Sequence, residues 1–470
     1  MLTLLICMTC TSAVNSAPAE SSAAASVDSS SSTSNTDAAR DEPNNDEASS
    51  ETSVAEIIEP DLSQLEPSSA ARTRLDRARE SVVQIRGFYG DAASSAFHGS
   101  GFAVRGEGQN EDLIVTNYHV VSEAVLYPRQ YRLEYVAADG RTGKLQVYAI
   151  DVKNDLAIVK ADDLRLPPLR LRVQIPSQGE RAYSMGFPLN LGLTITEGVA
   201  NGLVASSFEQ RIHYTGAING GMSGGPALDA GGAVYGVNVS VVTGRQLVGF
   251  VVPAKHIAPL LAHAREPLNR ANSPRQAREL VAAQVLAHQG IVFASTRQKP
   301  GTQTLSGYTL PTQISPYAEC STINTDTNPK LSIEKISCSI RARLRVQAGL
   351  EVGDITLQHQ LLRAHNLRPL QFTHTINREA ARYARHGSDK YVAPFACENA
   401  LVSLDGFDAR VSTCARQYRL FADLYDVAVV VVSINDTQHA MISQLDLRGV
   451  ALESGAQFVR RYLGAMRWTP

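Results

Sequence analysis

Between Val82 and Leu261 the chain never sustains a 3.6-residue apolar period. It moves instead in short runs rich in Val, Ile and Tyr, broken by Gly, Asn and Asp. Such runs suit strands, and their punctuation suits tight turns, so an all-β domain is expected here. Asp139-Gly140 reads as a hairpin turn between strands over 131–136 and 145–152, because both turn residues tolerate left-handed backbone. A short helix over 70–81 is expected to lead into a first strand over 82–88. A pair of packed antiparallel barrels accounts for the number of strands, although periodicity alone does not separate barrels from a sandwich.

Beyond Leu261 the character changes. Ser273-Pro274 resembles an N-cap followed by a first-turn proline, opening a helix through about His288. Residues 291–470 then mix helices and strands and are expected to form an α/β accessory domain. Ile336, Cys338, Ile340, Ala342, Leu344 and Val346 alternate with polar residues, a period of two that predicts a strand with one buried face. Residues 376–386 read as a helix, with Arg382, Arg385 and His386 near its negative end and Gly387 placed to stop it. Phe458, Val459, Tyr462, Leu463 and Met466 have the spacing of a terminal helix packed on a core. The expected division is therefore 1–19 leader, 20–68 linker, 69–265 catalytic-type β domain, 266–290 connecting helix and 291–470 accessory domain.

The first 19 residues carry no charged side chain and begin with the apolar stretch 2–8, LTLLICM, followed by small residues through Ala17-Pro18-Ala19. This resembles a secretory signal cut near Ala17 or Ala19, although no Lys or Arg precedes the apolar stretch. From Glu20 to Glu66 there are twelve acidic residues and one basic one; with a whole-chain charge of −2, residues 67–470 carry +9. The tail 20–68 holds no aromatic residue and too little apolar surface to offset its ordering entropy, which predicts a self-repelling tether. The longest apolar run, VAVVVVS at 427–433, falls far short of the ~18–20 residues of a membrane span.

Cys7 and Cys10 lie in the leader, and Cys320, Cys338, Cys397 and Cys414 remain. A lipidated Cys10 is disfavoured by its lead-in Cys7-Met8-Thr9. Four cysteines allow three pairings. Loop closure favours 320–338 with 397–414, because short loops close at least cost. None has CxxC metal spacing, so no metal is implied. Oxidised pairs point to the periplasm or the cell exterior.

Three short stretches carry the chemistry. The first is Gly99-Ser100-Gly101-Phe102 followed by the run ending at His119-Val120-Val121. The second contains Asp155, and the third is Gly220-Gly221-Met222-Ser223-Gly224-Gly225-Pro226. Their order, His119, Asp155, Ser223, matches one known order of a nucleophilic triad and not the others. A serine hydroxyl is a poor nucleophile until a base takes its proton. A neutral histidine does that near pH 7 and returns the proton to a leaving group, and a carboxylate fixes its tautomer. The glycines beside Ser223 permit a turn that aims the Gly221 and Ser223 N–H groups at one point, the candidate oxyanion hole. Each stretch alone more often marks a turn or a structural side chain; the three together, in order, carry the reading.

These motifs resemble the trypsin-like peptidases, most closely the bacterial HtrA/Deg branch. The likeness runs from about Arg74 to Leu261 and includes the flanking strings TEGVANG at 196–202 and VGFVVPA at 248–254. It implies two six-stranded β-barrels with the site in the cleft between them and a serine endopeptidase activity on protein or peptide substrates. Val120 stands where secreted animal trypsins carry a disulfide cysteine, and no Ile-Val-Gly-Gly activation sequence is present, which together imply no zymogen cleavage. No PDZ-like Gly-Leu-Gly-Phe segment follows. By analogy the specificity pocket draws on Ala217, Asn219, Gly220, Val239, Ser240 and Val241. None is acidic, so cleavage after small or medium apolar residues is expected rather than after Arg or Lys. No metal or organic cofactor is implied.

Two features have competing readings. Arg341, Arg343 and Arg345 share one strand face and either form an anion-binding ladder for envelope polymers or an acidic partner, or a solvated face, the commoner role of such rows. Nucleic acid is disfavoured, because interleaved aromatics are lacking. His98 reads as a neighbour of the site rather than a ligand. The rival to the enzyme is a catalytically idle scaffold that binds anionic polymers or a protein partner, and a third reading is esterase activity at the same serine.

Overall fold

Two closed six-stranded barrels follow one another along the chain, and a seven-stranded antiparallel sheet comes after them. The computed structural model describes residues 69–105, 113–188, 191–205, 207–241, 248–268, 274–325, 329–383, 389–434 and 436–469. The expected leader (1–19) and linker (20–68) lie outside the described residues. Helix α1 (Ser69–Arg79) leads into barrel 1, built from β1 (Val82–Tyr89), β2 (Phe97–Val104), β3 (Leu113–Thr116), β4 (Tyr131–Ala137), β5 (Thr142–Asp151) and β6 (Leu156–Lys160) in the order β1-β2-β3-β6-β5-β4. The β4–β5 hairpin turns at Gly140, whose φ of 86° is the left-handed backbone expected of Asp139-Gly140.

Barrel 2 comprises β7 (Glu180–Gly186), β8 (Thr194–Leu203), β9 (Ile212–Tyr214), β10 (Pro226–Asp229), β11 (Val234–Val241) and β12 (Gly249–Pro253) in the order β10-β11-β12-β9-β8-β7. One helix inside this region was not expected: α2 (Tyr118–Leu126) follows β3 directly, so His119 stands on a helix rather than at a bare strand end. Seven of its nine residues are buried, which erases the one-sided apolar stripe by which a helix is read.

A helix α3 (Ile257–His263) closes the barrels, and α4 (Pro274–Ser295) runs past the expected stop near His288 because Val292 is still buried in the core that follows. The sheet has the strand order 319–325, 331–340, 355–364, 439–450, 425–433, 407–417, 396–404. On one face lie Val292 of α4 and Phe458, Val459 and Tyr462 of α6 (Leu452–Gly464). On the other face lie Phe372, Ile376 and Ala380 of α5 (Pro369–Ala381). Helix α5 starts seven residues before the expected position, with Pro369 in its first turn and Gln371 bonded back to the Arg368 N–H, and it ends at Ala381. Arg385, His386 and Gly387 lie outside the described residues. Cys320–Cys338 and Cys397–Cys414 form disulfides between directly paired residues of neighbouring strands, the favoured pairing.

The period-two run is buried at every apolar position from Ile336 to Val346, but it belongs to two strands, 331–340 and 344–347, with a break at 341–343. After that break the strand 344–347 pairs with 350–352 as a small hairpin. This hairpin leaves the large sheet: Leu344, Val346, Leu350 and Val352 join the core of barrel 1 with Tyr118, Val121 and Val125. Val281 and Val285 of α4 complete the same cluster. Among the described residues no helix is long and apolar enough to cross a membrane.

Candidate active site

Thr116 ends β3 and donates its hydroxyl to Ser100 O at 2.7 Å, and Asn117 then caps α2 in extended backbone. His119 follows in the first turn. Asp155 comes from the β5–β6 turn, which Asp151 shapes by accepting from Asn154 N at 3.0 Å and Asn154 Nδ2 at 2.7 Å. The turn sets Asp155 at φ 59°, left-handed backbone that costs a non-glycine residue roughly 1–2 kcal/mol but that Asp tolerates better than most. Asn117 Nδ2 holds this conformation by donating to Asp155 O at 2.8 Å.

The result is a double contact. Asp155 Oδ2 lies 2.7 Å from His119 Nδ1, and Asp155 Oδ1 accepts from the His119 backbone N–H at 2.9 Å. Both side chains keep about 15% of their surface open, 14% for His119 and 15% for Asp155. An imidazole that shares an Nδ1 proton with the carboxylate presents Nε2 as its acceptor nitrogen.

Ser223 sits in the loop before β10. Its Oγ donates to Val239 O at 3.3 Å, and its carbonyl accepts from Ser100 N at 2.8 Å. Gly221 has φ 98°, and a Cβ there would fall 2.3 Å from Phe187 O and 2.9 Å from the His98 ring, so no side chain fits. Among the described residues the Gly221 and Ser223 N–H groups donate to no backbone carbonyl, which leaves them open to a ligand oxygen. Gly224, at φ 85°, passes so close to barrel 1 that a Cβ would lie 2.2 Å from Ser100 O. Gly224 N donates to Asn238 O at 2.9 Å, Asn238 N donates to Gly225 O at 2.9 Å, and Asn238 Nδ2 donates to Met185 O at 3.0 Å.

One positioning residue was missed in the sequence. Ser100 Oγ donates to Gly221 O at 2.7 Å and accepts from Phe187 N at 2.9 Å, so a hydroxyl of barrel 1 ties down the Ser223 loop of barrel 2. The only signal was its place between two glycines in Gly99-Ser100-Gly101.

The expected specificity residues divide. Val239 is buried and lines the cleft, and Ala217 O accepts from Thr196 Oγ1 at 2.8 Å while Asn219 O accepts from Met222 N at 3.0 Å. Gly220 is exposed beside them, and Ser240 and Val241 continue β11. Ile218 fills the space next to Gly249, 2.9 Å from where a Cβ would stand. His98 borders the Gly221 turn as a neighbour.

The accessory region enters the site from both sides. A cavity of about 390 Å³ lies between His119 and Asp155, Val239 and Phe250 of barrel 2, and Tyr317 and Arg341 of the accessory region. Arg343 and Arg345 complete that wall, so the arginine row borders the cleft while its side chains stay largely exposed. Arg343 is bound to Asp354 at 2.7 Å, and both it and Arg345 meet Glu351. A second cavity of about 630 Å³ also touches His119 and runs past Arg345, Tyr391 and Arg448. Behind His119, the fully buried Tyr118 donates its hydroxyl to Val346 O at 2.7 Å, and Ala348 N donates to Glu123 of α2 at 3.1 Å. Before Asp155, Gln284 of α4 accepts from Val152 N at 2.7 Å and donates to Ile150 O at 3.0 Å. Among the described residues no group of three or more His, Cys, Asp or Glu side chains is placed to hold a metal ion.

Residues 99–237 match the family model described as the trypsin-like peptidase domain. A probable periplasmic serine endoprotease, DegP-like, of Chlamydia trachomatis is 34% identical over 171 residues, 34% of this chain and 32% of that protein. The putative serine protease HhoB of Synechocystis is 35% identical over 164 residues, 33% of this chain and 37% of that one. The chain thus spans about a third of the length of these curated relatives. Among solved structures, the active form of the Rv3671c protease of M. tuberculosis aligns with 43% of this chain and 89% of its own at 23% identity and a TM-score of 0.37. Residues 99–237 are therefore a trypsin-like peptidase domain related to the HtrA/Deg serine proteases.

Proposed function

We propose that the chain is a serine endopeptidase in which Ser223 attacks the peptide carbonyl, His119 acts as base and then acid, and Asp155 orients it. The observation that carries this reading is the double contact of Asp155 on His119, which leaves Nε2 as the basic nitrogen. Ser223 Oγ rests on Val239 O, whose residue lines the same cavity as His119, and the reaction requires that hydroxyl to leave Val239 O for Nε2 by rotation about its Cα–Cβ bond. The proton taken by His119 passes to the departing amine, and water then resolves the acyl-enzyme by the same route in reverse. The open Gly221 and Ser223 N–H groups stabilise the oxyanion, a contribution of about 3 kcal/mol per donor.

Three further points belong to this reading. Ala217, Asn219, Gly220 and Val239 bring no carboxylate to the specificity pocket and Ile218 fills part of it, which supports cleavage after small or medium apolar residues. The domain limits stand as 69–265 for the peptidase, 266–290 for the connection and 291–470 for the accessory region. Export to the periplasm or beyond is supported by the two disulfides, the leader-like 1–19 and the likeness to relatives described as probable periplasmic proteases.

A fluorophosphonate probe tests the core of it. Labelling of the wild type and none of Ser223→Ala is expected. A folded wild type that stays unlabelled would leave the idle scaffold as the better description.

A further inference from the structure

We propose that the 390 Å³ cavity beside His119 is a subsite for an acidic side chain of the peptide substrate, held by Lys153, Arg211 and Arg341. The inference rests on the endopeptidase reading and adds a substrate class to it.

The cavity opens directly from the reacting centre, since His119 and Asp155 form part of its wall along with Val239, whose carbonyl holds the Ser223 hydroxyl. Side chains within a few residues of a bond presented to Ser223 therefore reach it. Its walls carry five cations, Lys153, Arg211, Arg341, Arg343 and Arg345, and they differ in how they are matched. Arg343 and Arg345 are occupied by Asp354 and Glu351. Arg341 has a single distant carboxylate, Glu319 at 3.9 Å. Among the described residues Lys153 and Arg211 form no ion pair, and the only hydrogen bond of the Arg211 guanidinium goes to Gln210 O at 3.0 Å.

Arg211 is the decisive group. It is half-buried on the chain just before β9 that lines the cavity, and partial desolvation pulls its pKa below the usual arginine value. A partly desolvated guanidinium with no carboxylate in ion-pair contact favours an incoming anion. The two acids nearest to it do not fill that role. Asp155 is committed to His119, and Glu209 is itself desolvated, its pKa raised to about 7, so that it is half neutral at physiological pH. Lys153 stands two residues from Asp155, which places the second unmatched cation on the barrel 1 wall and Arg341 on the accessory wall opposite. A carboxylate entering between them would gain charge-assisted bonds from three separate elements. The cavity shares Val239 with the expected specificity pocket, whereas Ala217 to Gly220 do not line it.

A donor–quencher peptide library tests this with the full-length protein. The cleavage position is held at Ala or Val, and each neighbouring position is varied among Asp, Glu, Asn, Gln and Lys. The expected result is a preference at one position for Glu or Asp over Gln or Asn, on the order of tenfold in kcat/KM. Lys153→Gln and Arg341→Gln, both at accessible positions, should each lower the acidic-to-neutral ratio, and Arg211→Glu should reverse it toward Lys. Fluorophosphonate labelling of the wild type separates the two levels. A labelled enzyme that shows no acidic preference, or whose preference survives all three variants, overturns the subsite alone. An unlabelled wild type removes the peptidase reading and the subsite with it. Tight capture of polyphosphate without any acidic preference in peptides would assign the cations to polymer binding and overturn the subsite.

Discussion

Barrel 1 carries His119 and Asp155 on α2 and the β5–β6 turn, and both rest on chain that arrives much later. Tyr118 reaches Val346, 228 residues on, and Val152 reaches Gln284, 132 residues on. Barrel 2 carries Ser223 on a loop whose bonds stay within the two barrels, to Ser100 and Asn238. Their cores differ in the same way. One core cluster of barrel 2 is its own, including Tyr214, Met222, Tyr235 and Val251, and a second is shared with barrel 1, α1 and α3, whereas a barrel 1 core continues into Val281, Val285, Leu344 and Val346 of the accessory region. Ser223 is thus placed by the peptidase fold alone, and His119 and Asp155 are placed jointly by that fold and the accessory region.

Severing the chain after Leu268 puts the largest strain on this comparison. It uncovers a face of barrel 1 against which Val281, Val285, Leu344, Val346 and Leu350 are buried. Full burial of such side chains contributes about 1.5–3 kcal/mol each, against a typical net stability of about 5–15 kcal/mol. The 69–268 fragment is expected to be insoluble or loosely packed and to take up no fluorophosphonate; a soluble, labelled fragment would make the accessory region dispensable.

Ser100→Ala sharpens the other side. It leaves Gly221 O and Phe187 N without their hydroxyl partner, at about 1–3 kcal/mol, and frees the Gly221–Met222 peptide, which lies between the Gly221 and Ser223 N–H groups, to turn. A drop in kcat with little change in KM is expected, whereas a change in KM alone would show that the loop is held elsewhere. Tyr118→Phe removes a single buried hydrogen bond to the hairpin, about 1 kcal/mol by urea unfolding. The loss should vanish if the hairpin does not in fact support α2.

The last effect is one of pH and concerns the seam where barrel 2 meets the accessory region. His288 Nε2 bonds Ala342 O at 3.0 Å and lies 3.3 Å from Glu209. Burial lowers the His288 pKa to about 4, so stability present above pH 6.5 is lost as pH falls toward 4. Burial raises that of Glu209 from 4.5 to about 7, so the stability it lends below pH 4.5 is lost as pH rises toward 7. The slopes oppose each other between pH 4.5 and 6.5. In Glu209→Gln the histidine slope stands alone, up to about 1.4 kcal/mol per pH unit. The urea midpoint of this variant should therefore climb with pH across that window more steeply than that of the wild type; equal slopes would show that the two groups do not titrate against each other.

The barrels were legible, and His119, Asp155 and Ser223 could be singled out, because the signals are local: glycine at turns, short β-branched runs, and polar residues at fixed places beside them. The helix α2 was not, because Val120, Val121, Ala124, Val125 and Leu126 are buried nearly all round and show no stripe. The start of α5 was missed because Arg368 is an unusual cap, and Pro369 was the better signal. Least legible was the role of the 344–352 hairpin. Its alternation states that one face is buried but not that the partner is α2 of barrel 1, a fact that only the folded chain settles.

The crystal structure of the phosphonylated protein bears most directly on the convergence of Ser223, His119 and Asp155. The expected adduct has Ser223 Oγ bonded to phosphorus, the phosphonyl oxygen within hydrogen-bond reach of Gly221 N and Ser223 N, and His119 Nε2 facing Ser223 while Nδ1 stays on Asp155. An adduct on another residue, or a Ser223 still bound to Val239 O with its loop closed over the two N–H groups, would contradict it.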